Sequence, residues 1–214
     1  MKAKYSILFL AVALIGCAPI SAFLLSFNVS AVEPEVGYCE PFEKGLNIWD
    51  IEYGEEYIVV ADGFLHFVVN NEGSFKMRAQ GSFREISTNA QLNFTGRDIP
   101  GGLGLGVILS NGRDMTIDIG PGPNGPGFEL SICPDSCSGN YDEYDHPQAG
   151  TIRTGSEMML RIVSTSNAIQ FYIDNSLVYE VLEESPIAEA FIYGYGDPGS
   201  FFTASADNLC VTYA

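Results

Sequence analysis

Basic residues are scarce in this sequence. Its 214 residues include 10 lysines and arginines against 27 aspartates and glutamates, which gives a formal net charge of −17. Such a charge disfavours binding to nucleic acids and to anionic membrane surfaces, because like charges repel. The acidic residues are scattered among residues of high β propensity. We therefore interpret them as a soluble, mutually repulsive surface.

Residues that build common catalytic and metal centres are also few. The two histidines, His66 and His146, do not lie at ligand spacing from a pair of cysteines, which disfavours a zinc site. No nucleophile elbow or zinc-hydrolase motif is present. The glycines at 102, 104 and 106 open no helix and are not followed by Gly-Lys-Ser/Thr, which excludes a phosphate-binding loop. They suit a strand that bends or meets another backbone closely.

Charge is absent from residues 5–32, which follow Lys2 and Lys4. This pattern is typical of an export signal, so we assign residues 1–31 to an apolar signal or anchor helix. Three fates stay open: cleavage after Ala31, retention as a membrane span, or lipidation of Cys17 in the sequence Leu-Ile-Gly-Cys. Each places residues 32–214 outside the cytosol, in a secreted or surface-bound protein that meets a membrane only through its N-terminal segment.

Four cysteines follow the predicted signal, and they allow three disulfide pairings. The short spacing of Cys133 and Cys137 favours a local bond between them, which leaves Cys39 to pair with Cys210. The second bond would join the first strand of the domain to its last.

Short strands and tight turns fill the rest of the sequence. In residues 160–182, the apolar residues Ile169, Phe171 and Ile173 alternate with polar ones, and a turn at Asp174 and Asn175 leads into the next strand. Other turns are predicted at Asp62-Gly63, Asn70–Gly73, Asn111-Gly112 and 197–200. Residues 120–127 and 133–150 are predicted to be loops, and no helix of three turns is evident. This spacing indicates a β-sandwich with Phe171, Ile173, Leu130 and Trp49 in its core.

The sequence resembles the concanavalin A-like lectin/glucanase superfamily, in its laminin-G-like branch, over residues 39–213. The similar stretches are Phe42 to Trp49 with Asp62-Gly63-Phe64-Leu65, residues 160–181 with their Tyr-Ile-Asp-Asn turn, and the ending Ala-Asp-Asn-Leu-Cys-Val at 206–211. The resemblance implies an all-β fold, a two-sheet antiparallel jelly-roll β-sandwich over residues 32–214. It also implies a candidate calcium site where the first and last strands meet, at Glu43 and Asp207.

Glucanases of this superfamily carry Glu-x-Asp-x-Glu, or a close variant, along one strand, and no strand of this sequence does. Asp118 stands alone among isoleucines, and the same-face neighbour of Glu129 is Ser131. The nearest match, Glu143-Tyr144-Asp145, lies in a predicted loop and lacks a third acid. We therefore expect a protein that is not an enzyme.

The predicted loop at 138–147 is instead the best binding candidate. Tyr141 and Tyr144 offer aromatic faces for sugar rings, and Asp142 and Asp145 offer oxygens to sugar hydroxyls or to a calcium ion. We expect an exported, non-catalytic domain that binds extracellular glycan, with calcium as the one candidate cofactor. A structural or adhesion module that binds a cell-surface protein is the alternative, and a glycoside hydrolase ranks third.

Overall fold

Twelve β-strands and one short helical turn make up the described part of the protein. The computed structural model describes residues 37–43, 46–94, 101–122, 125–133, 142–146 and 155–214. The elements in chain order are β1 (Gly37–Glu40), β2 (Asp50–Tyr53), a 3-10 helix (Glu55–Tyr57), β3 (Ile58–Ala61), β4 (Phe64–Phe94), β5 (Gly101–Leu109), β6 (Asp114–Gly122), β7 (Gly125–Cys133), β8 (Asp142–His146), β9 (Glu157–Ser164), β10 (Ala168–Ile173), β11 (Ser176–Leu182) and β12 (Ile187–Tyr213).

Hydrogen bonds join all the strands into one curled sheet. Its order is β11-β10-β9-β4-β12-β5-β6-β7-β8, with β1 added to β12 and with β2 and β3 added to β4. Along β12 the partner numbers on β4 fall as those of β12 rise: Ile192 lies opposite Met77, whereas Phe202 lies opposite both Val69 and Phe94. The two long strands therefore contribute to two layers, and the predicted jelly-roll sandwich is confirmed.

The first and second layers are defined by the strands that they contain. The first layer holds β2, the middle of β4, the start of β12, and β5 to β8. The second layer holds β1, β3, both ends of β4, the end of β12, and β9 to β11. The long strands bend at left-handed residues, Asn71 in β4 (φ 91°) and Gly199 in β12 (φ 96°), both inside predicted turns.

Apolar side chains from both layers form the core. Phe171, Ile173, Leu130 and Trp49 are buried there, as the alternation predicted. The turns at Asp62-Gly63, Asn111-Gly112 and Asp174-Asn175 contain left-handed residues and connect β3 to β4, β5 to β6 and β10 to β11. Short polar residues and glycine tolerate that backbone conformation, which is why the sequence could locate these turns.

Two predicted loops contain strand. Residues 120–127 were predicted to be a loop, but β6 extends to Gly122 and β7 begins at Gly125, with Pro121 opposite Pro126. The ladder set by buried pairs such as Ile119 and Phe128 continues beyond them and overrides the local turn composition. In the predicted loop at 133–150, residues 142–146 form β8 and pair with β7.

A disulfide joins the first and last strands of the described domain. Cys39 of β1 lies opposite Cys210 of β12, and their sulfur atoms are bonded with the Cα atoms 4.0 Å apart. This confirms the predicted bond between the first and last strands. Cys133 is also disulfide-bonded. Its predicted partner Cys137, the predicted boundary at residue 31 and the apolar helix before it lie outside the described residues.

A charged cluster ties the two layers at one end. Arg113, in the turn between β5 and β6, donates from Nη1 to Glu183 Oε2 at 2.7 Å, and the Ser185 N–H donates to Glu183 Oε1 at 2.9 Å. Burial alone would raise the pKa of Glu183, but these hydrogen bonds outweigh it and lower the pKa to about 2.

No helix in the described ranges is long and apolar enough to span a bilayer.

Candidate functional site

The outward side of the first layer carries an unusual set of polar side chains, and we call it the polar face. Successive strands place Lys76, Tyr193, Gly104, Asp118 and Glu129 opposite one another in one row. The alternate residues of these strands are buried in the core, so this row belongs to the other side. A neighbouring row contains Arg78, Phe191, Gly106, Thr116 and Ser131.

Glycines on β5 form the floor of the polar face. A Cβ atom at Gly104 would lie 2.6 Å from the Asp118 Cβ and 2.8 Å from the Tyr193 ring, and one at Gly106 would collide with the Phe191 ring. Side chains from β6 and β12 therefore lean over the bare backbone of β5 from both sides. The sequence predicted that these glycines lie in a strand with close neighbours, and the contacts at Gly104 and Gly106 agree with that prediction.

Tyr193 and Asp118 meet above Gly104. The Tyr193 hydroxyl donates to Asp118 Oδ2 at 2.8 Å, although the two residues are 75 positions apart. Asp118 is only 5% exposed. Burial and the charge of Asp118 raise the pKa of Tyr193 well above its ordinary value, so the hydroxyl stays protonated and keeps donating.

Aromatic rings line the β12 side of the polar face. The rings of Tyr193 and Tyr195 are nearly parallel, 11° apart, with their centroids separated by 6.3 Å. Lys76 Nζ lies 4.3 Å from the centre of the Phe191 ring and 3.5 Å from Glu52 Oε2. The face thus combines aromatic ring surfaces with carboxylates and with the cation Lys76, which is already paired.

Asp114 begins β6 and shares the outward side with Thr116 and Asp118. It is 9% exposed, and its Oδ1 atom has no hydrogen-bond partner in the part of the chain that the structure describes. Burial raises the pKa of Asp114 to about 6; Lys76 lowers it and Glu189 raises it. A buried carboxyl oxygen without a donor is costly, and such groups concentrate at functional sites.

The outward positions of β6 can be compared with the Glu-x-Asp-x-Glu pattern. Thr116, Asp118 and Gly120 occupy alternate positions, so this strand reads Thr-x-Asp-x-Gly. A Cβ at Gly120 would collide with the Gly101 carbonyl oxygen, which leaves no room for a glutamate. A second carboxylate is available only across strands, on Glu129, which lies opposite Asp118.

The predicted binding residues fall partly on β8. Register places Asp145 opposite Glu129, so β8 extends the row that begins at Lys76, and it places Tyr144 opposite Leu130 and Asp142 opposite Ile132. Positions 144 and 145 therefore belong to opposite sides of the sheet, which differs from the single binding loop that we expected. Tyr141 lies outside the described residues.

The predicted calcium ligands show a different arrangement. Asp207 accepts hydrogen bonds from the N–H of Asn208 at 2.6 Å and from its side-chain amide at 2.8 Å, which holds Asn208 at a φ of 51°. Glu43 is exposed. Among the described residues no three His, Cys, Asp or Glu side chains form a group that could hold a metal ion. Calcium binding by Glu43 and Asp207 stays a prediction.

Near the terminal strands, a buried carboxylate that the sequence did not reveal holds the chain. Glu40 is 1% exposed and accepts from the Tyr38 hydroxyl, from the Asn47 N–H at 2.9 Å and from the Asn47 side-chain amide at 3.0 Å. These donors belong to the chain near β1, so Glu40 stabilises the local structure there.

No family model and no curated protein matches the sequence. Solved structures match the fold: the carbohydrate recognition domain of Emp47p is 11% identical, with 85% of this chain and 97% of that chain covered, at a TM-score of 0.60. The Bacillus licheniformis beta-glucanase is 10% identical over 85% and 100% of the two chains, also at 0.60. The chain has the concanavalin A-like lectin/glucanase fold.

The same fold recurs in the laminarinase catalytic domain from Thermotoga maritima, which is 16% identical over 84% of this chain and 98% of that one, at a TM-score of 0.58. The concanavalin A-like resemblance is thereby confirmed, and the laminin-G-like branch stays a prediction. At such identities the likeness establishes the fold alone, and function has to be argued from the polar face.

Proposed function

We propose that this concanavalin A-like domain is an exported carbohydrate-binding module that does not cleave its ligand. The observation that carries the proposal is the packing of Tyr193 and Tyr195 beside the Asp118 carboxylate. Aromatic faces pack on the C–H surface of a sugar ring, while carboxylates accept from its hydroxyls. Carbohydrate is also what the neighbours named a carbohydrate recognition domain and a beta-glucanase handle, which supports this ligand class.

The polar face is long enough for several sugar units. The row from Lys76 on β4 to Asp145 on β8 crosses five consecutive strand spacings, about 24 Å at the usual separation of neighbouring strands. Of the predicted binding residues, Asp145 then belongs to one end of this surface, whereas Asp142 and Tyr144 lie opposite the buried Ile132 and Leu130 of β7. An oligosaccharide laid across the strands would contact both the tyrosines and β8.

Absence of hydrolysis is supported by β6. A retaining glycosidase needs two carboxyl groups about 5–5.5 Å apart on either side of the scissile bond. The outward neighbours of Asp118 on its own strand are Thr116 and Gly120, and Asp118 is buried against Tyr193. A carboxyl that is held in this way can position a sugar hydroxyl but is poorly placed to attack an anomeric carbon.

A glycan array probed with the full chain tests the binding proposal, followed by calorimetric titration of the oligosaccharides that bind. We expect Tyr195→Ala to weaken binding roughly five- to tenfold through loss of ring packing. Tyr172→Ala is the matched control, because Tyr172 is a half-buried tyrosine in the second layer. Equal affinities for Tyr195→Ala and the wild type, or an array without any bound glycan, would reject the proposal.

A separate assay tests the absence of catalysis. Neutral β-glucans incubated with the protein should release no reducing sugar above the buffer blank. If reducing sugar is released, and Glu129→Gln abolishes it, the cross-strand pair of Asp118 and Glu129 is catalytic and the protein is a glycoside hydrolase instead.

A further inference from the structure

The charge of the polar face points to the chemical class of its ligand. We infer that Asp114 contacts the ligand through its unpaired Oδ1 atom, and that the polar face selects glycans bearing hydroxyl or ammonium donors and rejects those bearing carboxylate or sulfate. This inference rests on the carbohydrate-binding function proposed above and narrows it to uncharged and amino-sugar glycans.

The first step is the position of Asp114. Residues 115, 117 and 119 of β6 are buried in the core, so Asp114 lies on the same side as Thr116 and Asp118. Its neighbours across the ladder are Ile108 of β5 and Cys133 of β7. An isoleucine and a disulfide-bonded cysteine offer no strong donor to its carboxylate.

The second step is the unsatisfied oxygen. Asp114 is 9% exposed, and no donor from the described residues reaches its Oδ1 atom. Leaving a buried acceptor unpaired is unfavourable, and a charged acceptor more so. Buried polar atoms without a partner are rare in folded proteins, so this one needs a role. A donor from a bound molecule would satisfy it.

The third step is the balance of donors and acceptors around it. Asp114, Asp118, Glu129 and Glu189 contribute carboxylates to the polar face. The cation Lys76 is paired with Glu52 and packs on Phe191. Arg78 lies 3.7 Å from Glu189 Oε2. With its cations paired and its carboxylates in excess, the face accepts hydrogen bonds and repels anions.

The experiment compares three hexasaccharides of similar length by calorimetric titration of the full chain: neutral β-linked glucose, glucosamine and mannuronate. We expect the first two to bind and mannuronate to bind at least tenfold more weakly. We expect Asp114→Asn to weaken glucosamine binding by fivefold or more. Neutral hexasaccharide binding should weaken less, because asparagine keeps an acceptor oxygen and loses only the charge.

Two controls separate binding from folding. Asp62→Asn removes the same charge from an exposed turn of the second layer and should bind like the wild type. The melting temperature of Asp114→Asn at pH 7 should equal or exceed that of the wild type, because a buried charge has been removed.

The outcomes distinguish the two proposals. If mannuronate binds as well as neutral hexasaccharide, or if Asp114→Asn binds all three like the wild type, the inference about ligand charge is wrong while carbohydrate binding stands. If none of the three binds and the glycan array is also empty, the proposed function itself fails.

Discussion

The outer sides of the two layers differ in which side chains they bury: the first layer buries acidic side chains, and the second exposes apolar ones. On the polar face, Asp114 and Asp118 are buried, whereas on the second layer Val59 and Phe201 are more than half exposed. Exposed apolar side chains are common on folded proteins, but buried carboxylates are not. Glycines explain the burial of Asp118, since they let its side chain and Tyr193 lean over β5.

The comparison also concerns stability. The second layer carries a tie that holds the fold, the Cys39–Cys210 bond between β1 and β12. The polar face contains a carboxyl oxygen, Oδ1 of Asp114, for which the described residues supply no donor. We therefore expect substitutions at the tie to destabilise the protein and some substitutions on the polar face to stabilise it, which is a pattern typical of a surface kept for binding.

The largest effect should come from removing the tie. Replacing Cys39 and Cys210 together by alanine frees two residues 171 positions apart, and loop-closure entropy predicts a loss of about 5 kcal/mol in the free energy of unfolding. Urea denaturation of both proteins measures it. A loss below about 1 kcal/mol would mean that the bond does not restrain the unfolded chain.

Asp114→Asn should act in the opposite direction, and its effect should depend on pH. The folded chain raises the pKa of Asp114 from 3.8 to about 6, so its protonated form is favoured. Protonation of Asp114 therefore contributes roughly 3 kcal/mol to the free energy of unfolding of the wild type below pH 3.8. This contribution is lost as the pH rises through about 6. The free energy of unfolding, measured at pH 4 and pH 7, should therefore be higher for Asp114→Asn relative to the wild type at pH 7 than at pH 4. Identical pH dependence of the two proteins would contradict the burial argument.

Tyr193→Phe should have an intermediate effect. It removes the donor to Oδ2 of the buried Asp118, which should cost about 1–3 kcal/mol. The matched change in the second layer is Tyr172→Phe, which removes a hydrogen bond to the Gln170 amide oxygen and should cost about 0.5–1 kcal/mol. Thermal unfolding ranks the two variants, and the reverse order would break the contrast between the layers.

The smallest effect should be that of Val59→Ala. Val59 is 57% exposed on β3, so its truncation removes little buried surface. We expect a change within about 0.5 kcal/mol by urea denaturation. A loss above 1.5 kcal/mol would show that the folded chain buries this side chain more than its exposure indicates.

Local signals in the sequence predicted much of the fold. Turns at left-handed residues such as Asp174 and Gly112, and the alternation of Phe171 and Ile173, depend on a few neighbouring residues. The bond between Cys39 and Cys210 follows from their positions in the first and last strands of this fold. Composition misled where tertiary pairing prevailed, at residues 120–127 and in β8, because a strand can be continued by its partner in spite of turn-forming residues.

The polar face could not be predicted in the same way. Tyr193 and Asp118 are far apart in the sequence and meet only because β12 and β6 flank β5 in a definite register. The Oδ1 atom of Asp114 is unpaired because its cross-strand neighbours, Ile108 and Cys133, offer it no strong hydrogen-bond donor. The one available signal was the glycine alternation at 102, 104 and 106, which indicated close neighbours without identifying them.

The placement of β12 has a consequence for biosynthesis. This last strand hydrogen-bonds with β1, β4 and β5 and runs through the middle of both layers. Residues 187–196 complete the first layer and residues 200–213 complete the second, so a chain growing from its N-terminus cannot finish either layer, or form the Cys39–Cys210 bond, until these residues have been synthesised. Folding is then expected to be slow, since it is dominated by contacts distant in sequence. A nascent chain halted before residue 187 should remain sensitive to protease.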